Sequence, residues 1–242
     1  MINCIVFKSA QEAAKAASMI FASTLYQKPD AVFGLATGST PIELYKQLIA
    51  LNEAGLIDFS RAMTFNLDEY VGLAGTHDQS YRYFMNKQLF EHINIDINRT
   101  HVPNGMGDTE QNAREYDRMI EAVGGIDLQL LGIGHNGHVG FNEPNAEGFP
   151  RGTNVPKLTE STIEANSRLF ESADDVPKRA ISLGLGGIMD AKRVILIATG
   201  TGKAKAVAGA VNGPITTNNP ASLLQLHGNV QFLLDEDAAA LL

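Results

Sequence analysis

Short apolar runs rich in β-branched residues alternate along the chain with longer stretches whose apolar positions recur every three or four residues. The first run, 4–7, predicts a strand. Behind it Ser9, with Glu12 three residues later, spells a capping box for a helix whose stripe is Ala13, Ala16, Ile20, Phe21 and Leu25. The same reading predicts strands over 31–36, 62–67, 128–133, 180–185, 194–198 and 230–234, and helices over 41–54, 81–93, 109–123 and 203–211. Strands that alternate with helices make βα crossovers. The expected fold is therefore α/β, a mostly parallel sheet with helices on both faces. No composition break divides residues 1–242, which predicts a single domain. One stretch interrupts the rhythm. Residues 145–178 are polar, rich in turn formers, and hold one short helical pattern over 162–170 behind a Ser161/Glu164 capping box. A connection this long predicts a functional flap, although a plain surface insertion has the same composition.

Composition narrows the class. Hydrophobic residues at 44% and charged residues at 19% exclude a disordered chain. No apolar run is long enough to cross a bilayer. A single Cys4 excludes an intrachain disulfide, and the first residues lack a secretory pattern; both fit a soluble cytoplasmic protein. Lys+Arg 19 against Asp+Glu 27 gives −8, with no basic stripe for nucleic acid. In so acidic a chain an anionic ligand must be held by local N–H groups and a few placed cations.

Ligands of open parallel sheets sit beyond the carboxyl ends of the strands, and four predicted strand ends carry unusual residues. The first is LATGSTP, 35–41. Gly38 permits a tight turn, Thr40 is an expected N-cap with Pro41 behind it, and the free N–H groups with the Ser39 and Thr40 hydroxyls form an anion site. An ordinary strand–turn–helix joint uses the same residue types. The second is ATGTGK, 198–203, which places Lys203 in the first turn of a helix. A cation there opposes the helix dipole unless an anion lies between; an exposed lysine is the alternative. The third is TFNLDEY, 64–70. Strand alternation sends one carboxylate of Asp68–Glu69 toward the site, where a raised pKa suits removal of a proton beside a carbonyl. A solvated acidic loop would look the same. The fourth is LLGIGHNGHVGFNEP, 130–144, which packs Gly132, Gly134, Gly137, His135, His138 and Glu143 into one strand end. Its spacing does not suit a metal and no further ligand closes a site, so no metal is expected. An acid–base set in which Glu143 orients an imidazole fits better.

Together these motifs resemble the glucosamine-6-phosphate deaminases: LATGSTP, FNLDEYVGL, the Ser80–Tyr81 region, GIGHNGHVGFNEP, ANSR at 165–168, VPK at 176–178 and LQLH at 224–227. The resemblance covers nearly the whole chain. It implies a single Rossmann-like α/β domain that turns glucosamine 6-phosphate and water into fructose 6-phosphate and ammonia, with no metal or organic cofactor. It also implies the roles. Asp68 would be the base at C2, His138 would open the sugar ring, and Glu143 and Asn136 would support that histidine. Gly38, Ser39 and Thr40, with Arg168 and Lys203, would bind the phosphate, and Gly132 would approach the sugar.

Many members of that family carry Asp where this chain has Asn136, and an amide cannot stabilise an imidazolium by charge. Ala146 and Thr153 fall where long members place effector contacts. The chain is therefore expected to work as a monomer or small homo-oligomer on a small phosphosugar, with neither nucleic acid nor membrane as partner. The rival readings are a phosphosugar lactonase, whose chemistry needs no base at an α-carbon, and a sugar-phosphate sensor without turnover.

Overall fold

The first helix shows how the local signals become structure. Ser9 accepts the Glu12 amide at 3.2 Å, and the Glu12 carboxylate reaches back to the Lys8 amide at 3.1 Å. With its start fixed, α1 (Ala10–Gln27) buries Ala13, Ala14, Ala17, Phe21 and Leu25. Phe21 stacks on Phe33, with ring centroids 4.9 Å apart. The computed structural model describes residues 2–242 apart from 168, 169, 171, 173 and 174.

Seven strands form the main sheet: β1 (Asn3–Phe7), β2 (Val32–Leu35), β3 (Met63–Asn66), β5 (Thr100–His101), β6 (Leu128–Leu131), β8 (Val194–Ala198) and β9 (Val230–Asp235). Their order is β1-β9-β8-β6-β2-β3-β5, and every pairing is parallel. All residues of β2, β6 and β8 are buried, so both faces of the sheet centre are covered. The connecting helices are α2 (Ile42–Glu53), α3 (Tyr81–Gln88), α4 (Thr109–Ala122), α6 (Leu185–Met189) and α7 (Ala204–Asn212). None of the helices described is long and apolar enough to cross a membrane.

From β2 the chain moves outward through β3 to β5. From β6 it moves the other way, through β8 to β9. The neighbours β2 and β6 therefore flank the point where the winding reverses, and their following loops are splayed apart to leave a crevice.

Among the departures from the periodicity, including an unpredicted β5 and a helix α3 that stops at Gln88, two bear on the site. Residues 180–185 do not join the parallel sheet. Only Ala180–Ser182 is a strand, β7, and it runs antiparallel to the short β4 (Asp68–Tyr70), with Asp68 opposite Ser182. An apolar run of this length suits either partner, and the sharp turn after β3 supplies a nearer edge than the filled sheet. In the 145–178 stretch the helix, α5, is Glu160–Ser167. It opens on Thr159, whose hydroxyl accepts the Thr162 amide at 3.3 Å, and not on Ser161. The part before it is tied to the fold by bridges from Asn154 to Ser182 and from Lys157 to Arg179.

Candidate active site

The loops after β2 and β6 meet across the crevice in a cleft of about 280 Å³, lined by residues 36–40, Asp68, Tyr81, Gly132–His135, His138, Phe141, Thr162 and Lys203. Three predicted strand ends and the β3–β4 junction thus supply one site.

Helix α2 begins one residue later than its spelling suggests. Pro41 is the N-cap, no side chain caps the helix, and Glu43 pairs with Lys46 at 3.3 Å. The first helical bond runs from the Tyr45 amide to the Pro41 carbonyl at 2.9 Å, and the Thr40 hydroxyl accepts no amide of the first turn. Thr40 is consequently not a cap and faces the cleft. Among the described residues the amides of Gly38, Ser39 and Thr40 donate to no protein acceptor. Gly38 has φ +93°, the left-handed region that only glycine enters freely, and that turn brings the three amides around the cleft. Opposite them, the loop after β8 is held by Asp235 of β9, whose carboxylate accepts the Gly200 amide at 3.0 and 2.9 Å. Lys203 follows in a 3-10 turn and lines the cleft. No carboxylate among the described residues lies within ion-pair distance of it, and burial lowers its pKa. A half-buried ammonium and free amides lining one cleft have the chemistry to hold an anion.

The two adjacent carboxylates part company at β4. Glu69 turns away and caps α3, accepting the amides of Tyr81 at 2.9 Å and Arg82 at 3.0 Å. Asp68 faces the cleft, 6% exposed and without a hydrogen-bond donor among the described residues. Burial, reinforced by the neighbouring Glu69, pushes its pKa up to about 8.

Across from Asp68, the β6 loop carries a polar cluster. His138 Nδ1 lies 3.3 Å from Glu143 Oε2, an ion-pair distance without hydrogen-bond alignment. Asn136 donates to the same carboxylate oxygen at 2.8 Å, and its own carbonyl accepts the His138 amide at 3.2 Å. Thr162 of α5 donates to the other oxygen, Oε1. Burial acts to raise the Glu143 pKa, but His138, Thr162 and Asn136 outweigh it and hold the group at about 2. An ionised carboxylate therefore backs the imidazole.

Gly134 makes room for that ring. A Cβ there would stand 2.2–2.4 Å from three atoms of the His138 imidazole. Gly134→Ala is therefore expected to displace the ring while leaving the fold intact. Because misplacement of about 1 Å can cost ~10²-fold in rate, kcat should fall by about that factor with little change in Tm. A variant with normal kcat would show that the ring position is immaterial.

Residues 7–232 match the model of a family described as glucosamine-6-phosphate isomerases/6-phosphogluconolactonase. The chain belongs to this family. Within it, the glucosamine-6-phosphate deaminase of Clostridium perfringens (strain SM101 / Type A) is 55% identical over 242 residues, covering all of both chains. The solved structure of a monomeric glucosamine-6-phosphate deaminase superposes with a TM-score of 0.96 at 42% identity, again over all of both chains. The 6-phosphogluconolactonase of Trypanosoma brucei, at 20% identity, covers 99% of this chain and 98% of its own, with a TM-score of 0.80, and shares the fold.

Of the candidate site residues read from the sequence, the cleft brings together Gly38, Ser39, Thr40, Asp68, Gly132, His138 and Lys203. Asn136 and Glu143 stand directly behind His138. Arg168 lies outside the described residues. Several lining residues carry no assigned role in the sequence reading, among them Tyr81, Phe141 and Thr162. Tyr81 and Phe141 stack face to face at 5.9 Å and form one apolar wall, and Thr162 enters from α5. Tyr81 opens the helix predicted over 81–93 and falls in the Ser80–Tyr81 region of the resemblance, neither of which gives it a role. Phe141 lies within GIGHNGHVGFNEP and Thr162 opens the predicted 162–170 pattern, but neither residue type announces a place in the cleft.

Proposed function

We propose that this chain is a glucosamine-6-phosphate deaminase, converting glucosamine 6-phosphate and water to fructose 6-phosphate and ammonia. The observation that carries the reading is Asp68. A buried carboxyl without a counter-charge costs stability, yet it stands in the same cleft as an anion site and an imidazole–carboxylate pair. Ester hydrolysis of a phosphosugar lactone gives such a group nothing to do, whereas removal of a C2 proton requires it.

In this mechanism the free amides of Gly38, Ser39 and Thr40, with Lys203 and Arg168, hold the phosphate, and Gly132 leaves the sugar open backbone to lie against. His138, its Nδ1 side backed by Glu143 and its ring set by Gly134, moves the proton that opens the pyranose to the aldehyde. Asp68 then takes the C2 proton, acidified by the neighbouring carbonyl, to give an enolamine. Returning that proton to C1 leaves an imine at C2. Water adds to this carbon, the C–N bond breaks, and ammonia departs. No metal or organic cofactor takes part. Asn136 acts through Glu143, and its neutral amide leaves the carboxylate as the charge facing the imidazole.

The protein acts as a single domain over 1–242, and the 145–178 stretch serves as the flap. Supporting this, Ile163 and Phe170 pack on a small cluster around Tyr70, Phe141, Leu158 and Ala180, separate from the main core. A monomer or small homo-oligomer in the cytoplasm, with a phosphosugar as its partner, completes the proposal. The monomeric relative and the free Cys4 support it.

The test is release of ammonia from glucosamine 6-phosphate, with kcat/KM rising as Asp68 ionises and levelling above pH 8 or so. Turnover of a phosphogluconolactone without ammonia would establish the lactonase instead. Binding without either reaction would make the protein a sensor.

A further inference from the structure

Thr162 bonds the acid–base carboxylate from within the 145–178 stretch. It is buried on α5, lines the cleft, and donates its hydroxyl to Glu143 Oε1. Its helix is also held by the Thr159 hydroxyl at its start and by Ile163 against the Tyr70 cluster. The Thr159 hydroxyl also donates to the Thr162 hydroxyl at 3.0 Å, so the start of the helix and the contact to Glu143 form one chain of hydrogen bonds. Glu143 takes one donor from its own loop, Asn136, and one from α5, Thr162; among the described residues His138 is the only titratable group within ion-pair distance of it.

We propose that Thr162 is a positioning residue, which docks α5 onto the carboxylate that backs His138 and so makes the geometry of the acid–base pair depend on the seating of the flap. The inference rests on the reading of His138 and Glu143 as that pair. A hydroxyl donates best to an ionised carboxylate. Docking of α5 and ionisation of Glu143 therefore favour each other, and by reciprocity each weakens when the other is lost. With Oε1 unpaired, the buried carboxylate is free to rotate off the imidazole, or to take up a proton instead.

Thr162→Val keeps the shape and removes the hydroxyl, while Thr162→Ser keeps the hydroxyl and removes the methyl. A hydrogen bond to a charged group corresponds to roughly a tenfold effect or more. In Thr162→Val, kcat should fall by about that factor while KM, set by the phosphate loops, changes by less than about twofold. Thr162→Ser should recover kcat. The second readout needs no substrate. Titration of the Glu143 carboxyl, followed by carbon-13 NMR, should move up by about one pH unit in Thr162→Val and return in Thr162→Ser. Should valine prevent folding, Thr162→Ala makes the same comparison. An unchanged Glu143 titration together with unchanged kcat would overturn the proposal. A wild-type protein that releases no ammonia, but whose Glu143 titration moves on losing the hydroxyl, would uphold Thr162 and refute the reaction.

Discussion

Asp68→Asn is expected to stop exchange of the C2 hydrogen with solvent and to lower kcat by about 10²–10⁴-fold, the range of a lost general base, while raising Tm at pH 8. The two effects share one cause. In the unfolded chain the carboxyl ionises near 3.8, but in the fold burial and Glu69 hold it protonated to about 8. For an acid whose folded pKa is raised, the native state loses stability progressively as pH rises through this window, and the loss persists above it. Asparagine matches the neutral form and has no charge to bury. The gain at pH 8 is on the order of a few kcal/mol, and for a chain of this size each kcal/mol is about 2–4 °C of Tm. At pH 4 the variant and wild type should melt alike. Deuterium exchange at C2, followed by proton NMR, and melting curves at pH 4 and pH 8 check both halves. Persistent exchange would remove Asp68 from its role, and equal Tm at pH 8 would mean that its carboxyl is not held neutral by burial. Such a trade of stability for activity is common where a site must keep an uncomfortable group.

Lys203→Ala is expected to raise KM by about 10–100-fold, the effect of losing a charge-assisted hydrogen bond, with a much smaller change in kcat. Lys203 is partly desolvated, has no carboxylate within ion-pair distance among the described residues, and stands beside the start of α7, where its charge opposes the helix dipole. Nothing among the described residues compensates it, so the compensating charge is expected to come with the ligand. Competitive inhibition by inorganic phosphate should weaken in parallel. The fold itself should not suffer, since removal of the ammonium relieves the dipole by about 0.3–1 kcal/mol. If KM and phosphate inhibition both stay at wild-type values, the phosphate lies away from this loop.

Much of this site could be read from residue order because the relevant signals are short. The turn of LATGSTP, the paired carboxylates of NLDEY and the crowded GIGHNGHVGFNEP each announce a strand end within a few residues, and parallel sheets gather their strand ends on one side. Burial on both faces was likewise implicit in runs such as Val194–Ala198, which have no polar alternation. Exact starts of helices were less accessible. Thr40 and Ser161 have the spelling of caps, but the cap is decided by where the first intrahelical hydrogen bond begins, and the carbonyls of Pro41 and Thr159 accept those bonds, from Tyr45 and Ile163.

Local pattern thus establishes that strands and helices alternate, that the sheet is parallel, and which short motifs carry chemistry, because periodicity and turn preference depend only on near neighbours. Strand order does not follow from such information, since permuting the strands leaves every local signal unchanged. Folding alone placed β2 beside β6 to open the crevice, drew Ala180–Ser182 out of the main sheet to pair with Asp68–Tyr70, and sent Asp68 inward while Glu69 capped α3. It also brought Thr162 to Glu143 from a helix whose surface spelling is unremarkable. Each of those outcomes is a contact between segments far apart in the chain, set by how the whole core packs.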